Sequence, residues 1–214
     1  MAFNAGRYAA FAAHFGRQTV FGRSVPTASA VGVQGDEFVL YALAAAEPGV
    51  PVENPRQVTA YENSRRFGPI PPCFARATLL VGDSEETLLI VGGTASIVGE
   101  ESQHIGRLDQ QARETFRNLA SVVASAGGGK VTEDATASEL EPLLAAFRAL
   151  RIYHPRAEDG PAIAALVRAS FPASCRVELA QASLCRPELL IEIEGLAAIR
   201  PRLSNSTSGL ALEP

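Results

Sequence analysis

No stretch of this 214-residue chain is apolar for long enough to cross a bilayer, so no membrane partner is expected. Its first residues, Met1 to Arg7, lack the basic start and apolar core of a secretory signal, and a cytoplasmic location follows as the expectation. Cysteine is scarce. Cys73, Cys175 and Cys185 are odd in number, far apart and without CxxC spacing, which excludes both a disulfide framework and a zinc site and suits a reducing compartment. Basic charge is not in excess either: 19 basic against 23 acidic residues leave a net −4, so no general surface for nucleic acid is expected. The phosphate loop of nucleotide-binding proteins is missing, because Gly127-Gly128-Gly129-Lys130 has neither the preceding glycine nor the following hydroxyl. No cofactor and no metal are expected.

What is present is a globular composition, 47% hydrophobic and 20% charged, with enough length for a core. The most informative stretch is 189–196, Leu-Leu-Ile-Glu-Ile-Glu-Gly-Leu. Its alternation predicts a strand with Leu189, Ile191 and Ile193 on one face and Leu190, Glu192, Glu194 and Leu196 on the other. Two carboxylates thus stand among branched apolar residues, with Cys185 and Arg186 just upstream. On a pocket-lining face, low dielectric would raise the pKa of Glu192 and let it keep a proton near neutral pH, as a general acid must. On a solvated face the same pattern is an ordinary exposed edge.

Along the chain, residues 7–18 predict a helix with Tyr8, Phe11, Ala12 and Phe15 as its apolar stripe. Residues 25–33 and 37–46 read as a hairpin turning at Gln34-Gly35-Asp36. A helix and a hairpin bury little, so this opening is expected to lean on the rest of the chain or on another subunit. Residues 47–72 are rich in proline and glycine yet carry Arg56, Tyr61, Arg65 and Arg66, which reads either as a solvated connection or as a loop that clamps an anion. A second hairpin is expected from 74–81 and 87–91 across Gly82-Asp83-Ser84, followed by a small-residue loop, Gly92 to Ser96, where a backbone could approach a ligand. His104 reads as a local hydrogen-bonding residue. The best helix spans 107–126, buried through Leu108, Ala112, Phe116, Leu119 and Val123, with Arg113, Glu114 and Arg117 facing out. A helix over 139–148, a strand over 150–154, a helix opened by Gly160-Pro161 with Asp159 as cap, and a final hairpin of 177–182 with 189–196 complete the pattern. Residues 201–214 read as a disordered tail. This order predicts an α/β fold, a mixed sheet with helices packed on one face.

The glycine-threonine-alanine-serine after a strand, the helix with Gln111, Glu114-Thr115 and Asn118-Leu119, the strand Arg151-Ile-Tyr153 and the Leu-Leu-Ile-Glu-Ile-Glu ending resemble the YjgF/Rid superfamily. Within it the chain is more similar to the chorismatases. The likeness runs through Glu53-Asn-Pro-Arg-Gln-Val58, Tyr61, Phe67-Gly-Pro69, Phe74-Ala-Arg-Ala77, Gly93 to Gly99, Ser102-Gln-His104, and Cys185-Arg186 ahead of Glu192. It covers nearly all of residues 7–196.

The resemblance implies hydrolysis of chorismate with release of pyruvate from its enolpyruvyl ether. By position, Glu192 is implied as the acid that protonates the enol carbon, Arg76 and Arg186 as holders of the two substrate carboxylates, and Tyr61 as a hydrogen-bond donor. Cys185 and Gly93 match the subclass that makes 3-hydroxybenzoate rather than a dihydroxycyclohexadiene carboxylate. The implied organisation is a partial N-terminal Rid-like unit and proline-rich linker over 1–60, a catalytic Rid-like domain over 61–200, and the tail. Two departures stand out. Family members run well over a hundred residues longer, with a complete first half, and Glu62-Asn63-Ser64 and Arg107 replace residues usual there. The alternatives are a catalytically impaired chorismatase-like partner protein, or a Rid-type imine deaminase using Arg186. A short first half also implies self-association through residues 7–46.

Overall fold

In a computed structural model of the chain the described residues are 2–16, 24–33, 35, 38–80 and 86–199. The expected tail over 201–214, the turn at Gly82-Asp83-Ser84 and two residues of the turn at Gln34-Gly35-Asp36 lie outside them.

The sheet comprises β1 (Val50–Val52), β2 (Ala77–Leu80), β3 (Thr87–Ala95), β6 (Phe147–His154), β7 (Arg176–Gln181) and β8 (Glu192–Ile199), in the spatial order β1-β2-β3-β8-β6-β7. All neighbours pair antiparallel except β6 with β7, which run parallel. A two-stranded ribbon, β4 (Ile97–Val98) with β5 (Glu101–Ser102), stands beside it. Three helices serve the main core: α2 (Leu108–Ala126), α3 (Ala137–Leu144) and α4 (Gly160–Ser170). Ala112, Phe116 and Leu119 of α2, Leu140 and Leu144 of α3 and Ile163 and Val167 of α4 meet Leu89, Val91, Leu150, Ile152, Ile193 and Ala197 of the sheet in one buried cluster. At roughly 1.5–3 kcal/mol for each large apolar side chain buried, this layer is the main source of stability. The mixed α/β reading therefore holds; of the strand expected over 189–196 only the part from Glu192 on is strand, with Ile191 and Ile193 pointing into the helix-covered core and Leu189 packed apart from it with Ala95 and Ile97.

The final hairpin does not form. β7 and β8 do run antiparallel, but β6 lies between them. The reason is the strand-helix-strand order β6-α4-β7, whose crossover helix delivers β7 alongside β6 in parallel. β8 then enters the sheet on the other side of β6, pairing there and with β3. The segment expected to be a helix to 148 stops at Leu144, and Phe147 already belongs to β6.

Among the described residues the opening hairpin is also absent. Residues 25–33 make only isolated bridges, Thr27 with Ala75 and Gly32 with Ser183, and residues 38–49 carry no strand. Pairing partners on the body of the protein have replaced the local one. Helix α1 (Ala2–Phe15) starts and stops earlier than expected, ending at Gly16 with φ 84°. Its stripe of Tyr8, Phe11, Ala12 and Phe15 packs on Val25, Cys73 and Ala75, so the opening does lean on the rest of the chain. Exposed apolar surface lies instead at Phe38, Leu40, Tyr41 and Leu43. The proline-rich stretch contributes edge strand β1 at Val50–Val52.

Candidate active site

Residues Gly92 to Ser96, expected as a loop, are mostly strand. β3 runs on to Ala95, with an irregularity between Val91, opposite Gly195, and Thr94, opposite Ile193. Gly92 and Gly93 therefore oppose Glu194 alone, two residues against one, which is a β-bulge. The bulge is held from one side by the backbone N–H of Gly92 donating to the Arg76 carbonyl (2.9 Å), and from the other by the N–H of Gly93 donating to the Ser29 hydroxyl (2.8 Å). Neither glycine is there for a left-handed backbone. A Cβ on Gly93 would lie 2.1 Å from Oε1 of Glu192, and one on Gly92 2.9 Å from the Ala28 carbonyl. Gly93 is the notch into which the Glu192 carboxyl fits.

Glu192 opens β8, between Ala95 of β3 and Tyr153 of β6. It is 6% exposed. Burial raises its pKa to about 7, helped by the charge of Glu194 and opposed by that of Arg76. A carboxyl that keeps a proton near neutral pH is the property the strand pattern suggested. Glu194, on the same face, accepts from the Tyr153 hydroxyl (2.8 Å) and pairs with Arg151 (3.5 Å).

Arg76 is buried, with its guanidinium 5.1 Å from the centre of the Phe74 ring and Nη2 donating to the Val58 carbonyl (3.0 Å). Desolvation lowers its pKa most; Glu53, Cys185 and Glu192 act in the opposite sense and Arg186 in the same one. Arg76 and Cys185 thus each lie within charge range of both Arg186 and Glu192. Arg186 is anchored on the β4–β5 ribbon, where Nη1 donates to the Glu100 carbonyl (2.7 Å) and the Ser102 hydroxyl (3.1 Å). The Cys185 residue is exposed, yet the surroundings of its sulfur are dry enough to push the thiol up to about 11, with the Glu192 charge adding to the rise. That is a neutral thiol, not a nucleophile.

Tyr61 sits in a short 3-10 turn, Ala60–Glu62, on a surface cleft of about 410 Å³ that it shares with Tyr8, Arg65 and Pro71. The cleft is of ligand size, but Glu192, Arg76 and Arg186 do not line it. The link between them is Glu53, whose charge acts on both Tyr61 and Arg76.

Glu53 was not singled out from sequence. It precedes Asn54-Pro55 just after β1, a place where a glutamate ordinarily faces water, and no periodicity marks it as buried. Burial raises it to about 7, while the Arg76 charge and a hydrogen bond from the Arg76 backbone N–H pull the other way.

Arg56 is not an anion clamp. It pairs with Glu114 at 2.7 Å and donates to Asn118 Oδ1 at 2.6 Å. Asn118 in turn donates to the carbonyls of Ala95 and Ile97, and Asn54 to that of Asn118. Glu114, expected to face out, is one of the anchors that tie the proline-rich loop to α2. His104 stands 3.8 Å from the same carboxylate. Asp159 stands at the start of α4 but makes no side-chain cap, its carboxylate being taken by Arg156 at 2.7 Å.

No protein-family model matches the chain. It is 37% identical over 175 residues to a 3-hydroxybenzoate synthase of Streptomyces hygroscopicus, a match that spans 80% of this chain and 50% of the relative. A crystal structure of a chorismatase superposes with a TM-score of 0.70 at 25% identity, covering 91% of this chain and 56% of that one. The yeast protein YEO7 superposes over 71% of this chain and 99% of its own at TM-score 0.51 and 13% identity, a likeness of fold alone. The chain spans about half the length of the curated relatives it matches. Sequence and structure together show that the chain belongs to the chorismatase family and has its fold.

Proposed function

We propose that the protein converts chorismate to 3-hydroxybenzoate and pyruvate, with Glu192 as the catalytic acid. The observation that carries this reading is a buried carboxyl of pKa about 7, seated in the Gly93 notch within range of the Arg76 charge, with Arg186 within range of Arg76 in turn. An enol ether is a poor electrophile until its terminal carbon is protonated. Glu192 donates that proton, water attacks the resulting oxocarbenium ion, and the hemiketal collapses to pyruvate as the bond between its carbon and the ether oxygen breaks. The ring alcohol left behind then loses the neighbouring hydroxyl together with the hydrogen on its own carbon, as one water, and becomes 3-hydroxybenzoate. 3-Hydroxybenzoate and pyruvate together contain the atoms of chorismate, so the balance calls for no oxidant and no cofactor.

Arg186 and Arg76 supply positive charge for a dianionic substrate, for which guanidinium forks are well matched. Tyr61, on the neighbouring cleft and within charge range of Glu53, offers the substrate a phenol hydroxyl in this reading. Cys185 and Gly93 set the small volume around the acid and, with it, the fate of the ring. The name of one relative, 3-hydroxybenzoate synthase, supports this choice of product. In this reading residues 61–200 carry the catalytic Rid-like domain, and the N-terminal unit and proline-rich linker of residues 1–60 contribute β1 and Glu53 to it. The reaction belongs in the cytoplasm, in keeping with three unpaired cysteines. Among the described residues no helix is long and apolar enough to cross a membrane.

The test is direct. Purified protein incubated with chorismate should release pyruvate and 3-hydroxybenzoate in equal amounts, by coupled assay and chromatography. Binding without turnover would favour an impaired partner protein; release of pyruvate with a non-aromatic ring product would refute the product assignment.

A further inference from the structure

Two buried polar atoms in this site have no hydrogen-bond partner among the described residues, and they are complementary: Oε2 of Glu53, an acceptor, and Nε of Arg76, a donor. They belong to neighbouring groups, since the Glu53 carboxylate already receives the backbone N–H of Arg76 and the two charges act on each other. Yet they do not satisfy one another. Leaving both unpaired in a buried place is costly, and buried polar atoms of this kind are met by a water, an ion or a ligand group.

The chemistry of that group is constrained. With Glu53 ionised, a carboxylate would serve Arg76 but set oxygen against the oxygen of Glu53. An ammonium would serve Glu53 but has no lone pair for the N–H of Arg76. A hydroxyl does both, accepting from Nε and donating to Oε2. We propose that Glu53 and Arg76 form a receptor for a hydroxyl group of the substrate. On the reading above, from which this inference starts, that group is the ring hydroxyl of chorismate on the carbon next to the ether.

The receptor would orient the ring relative to Glu192, because Arg76 lies within charge range of both carboxyls. It also gives the site a basis for refusing ring compounds that carry the same two carboxylates without the alcohol. A site with buried groups committed to an OH discriminates strongly against its absence, since the analogue leaves both groups unpaired. Glu53 is in this sense a specificity residue, and Arg76 has a part in it distinct from holding a carboxylate.

The experiment compares chorismate with the analogue lacking only that hydroxyl, 4-deoxychorismate. Titration is done on Glu192→Gln, to stop turnover, and on the same protein carrying Glu53→Gln as well. The expected result is a preference for chorismate of at least about 100-fold in the first protein, falling to within about fivefold in the second, with affinity for the analogue little changed. Equal affinity for the two ligands in Glu192→Gln overturns the receptor, as does an equal loss for both ligands on adding Glu53→Gln. Should the double variant not fold, the wild-type protein decides alone: inhibition by the analogue as strong as the binding of chorismate overturns the proposal. Absence of both chorismate binding and pyruvate release in the wild type would instead refute the functional reading, and the receptor with it. Pyruvate release with no discrimination refutes the receptor only.

Discussion

The protonation state of Glu192 is the quantity on which the proposed reaction turns, and it can be read out by pH. With a pKa of about 7 against an ordinary 4.5, the carboxyl is about half protonated at neutral pH. About two pH units higher, about one molecule in a hundred holds the proton. If Glu192 is the acid, kcat at saturating chorismate should be level below about pH 6 and fall about tenfold per unit above about pH 8. Glu192→Gln keeps the shape but cannot give a proton to carbon; it should lower kcat by at least about 100-fold and remove this alkaline limb.

Stability should move the other way. The folded pKa lies above the unfolded one, so the native state binds more protons between the two values. Wild-type stability should therefore fall as pH rises from about 4.5 to about 7 and level off beyond. Glu192→Gln, with nothing to ionise, should melt higher than wild type near pH 8 and lose this contribution to the slope. Pyruvate release by coupled assay and melting by calorimetry are the two measurements. A Gln variant with near-normal turnover, or an alkaline limb that survives the substitution, would refute the assignment.

Other outcomes follow from the same geometry. Gly93→Ala puts a methyl carbon 2.1 Å from Oε1 of Glu192, so the carboxyl must shift by about an ångström; kcat should fall by about 100-fold with the fold kept, and an unchanged rate and ring product would refute the notch. Arg186→Ala should weaken chorismate binding by about 1.5–3 kcal/mol with poor rescue by Lys, measured by titration against Glu192→Gln. Glu114→Ala strands the buried Arg56 that Glu114 pairs with and should destabilise the protein by about 3–5 kcal/mol in urea unfolding; a change below about 1 kcal/mol would mean that water reaches the pair. Phe38, Leu40, Tyr41 and Leu43 are each more than 70% exposed, and self-association of the 214-residue chain through this segment is the expected result of light scattering; a monomer at high concentration would refute it.

Sequence alone determined the parts governed by short-range rules. Period-2 alternation placed Ile191 and Ile193 toward the core and Glu192 on the opposite face. Period 3.6 located α2 and its buried stripe, and the same pattern foresaw that the Tyr8-Phe11-Phe15 stripe needs another surface. The short motifs from Glu53 to Glu192 carried the resemblance, because they preserve residue types in order whatever their contacts. What the residues could not decide by themselves is set by which segments meet across the chain. The place of β7 beside β6 depends on a crossover helix, and the loss of the 25–46 hairpin on partners at Ala75 and Ser183. The burial of Glu114 depends on an arginine 58 positions upstream, at Arg56. The acidity of Glu192 and the unpaired atoms of Glu53 and Arg76 arise from desolvation by neighbours distant in sequence. Dielectric is a property of the assembled pocket, so only the tertiary structure could turn two ordinary glutamates into proton-holding groups.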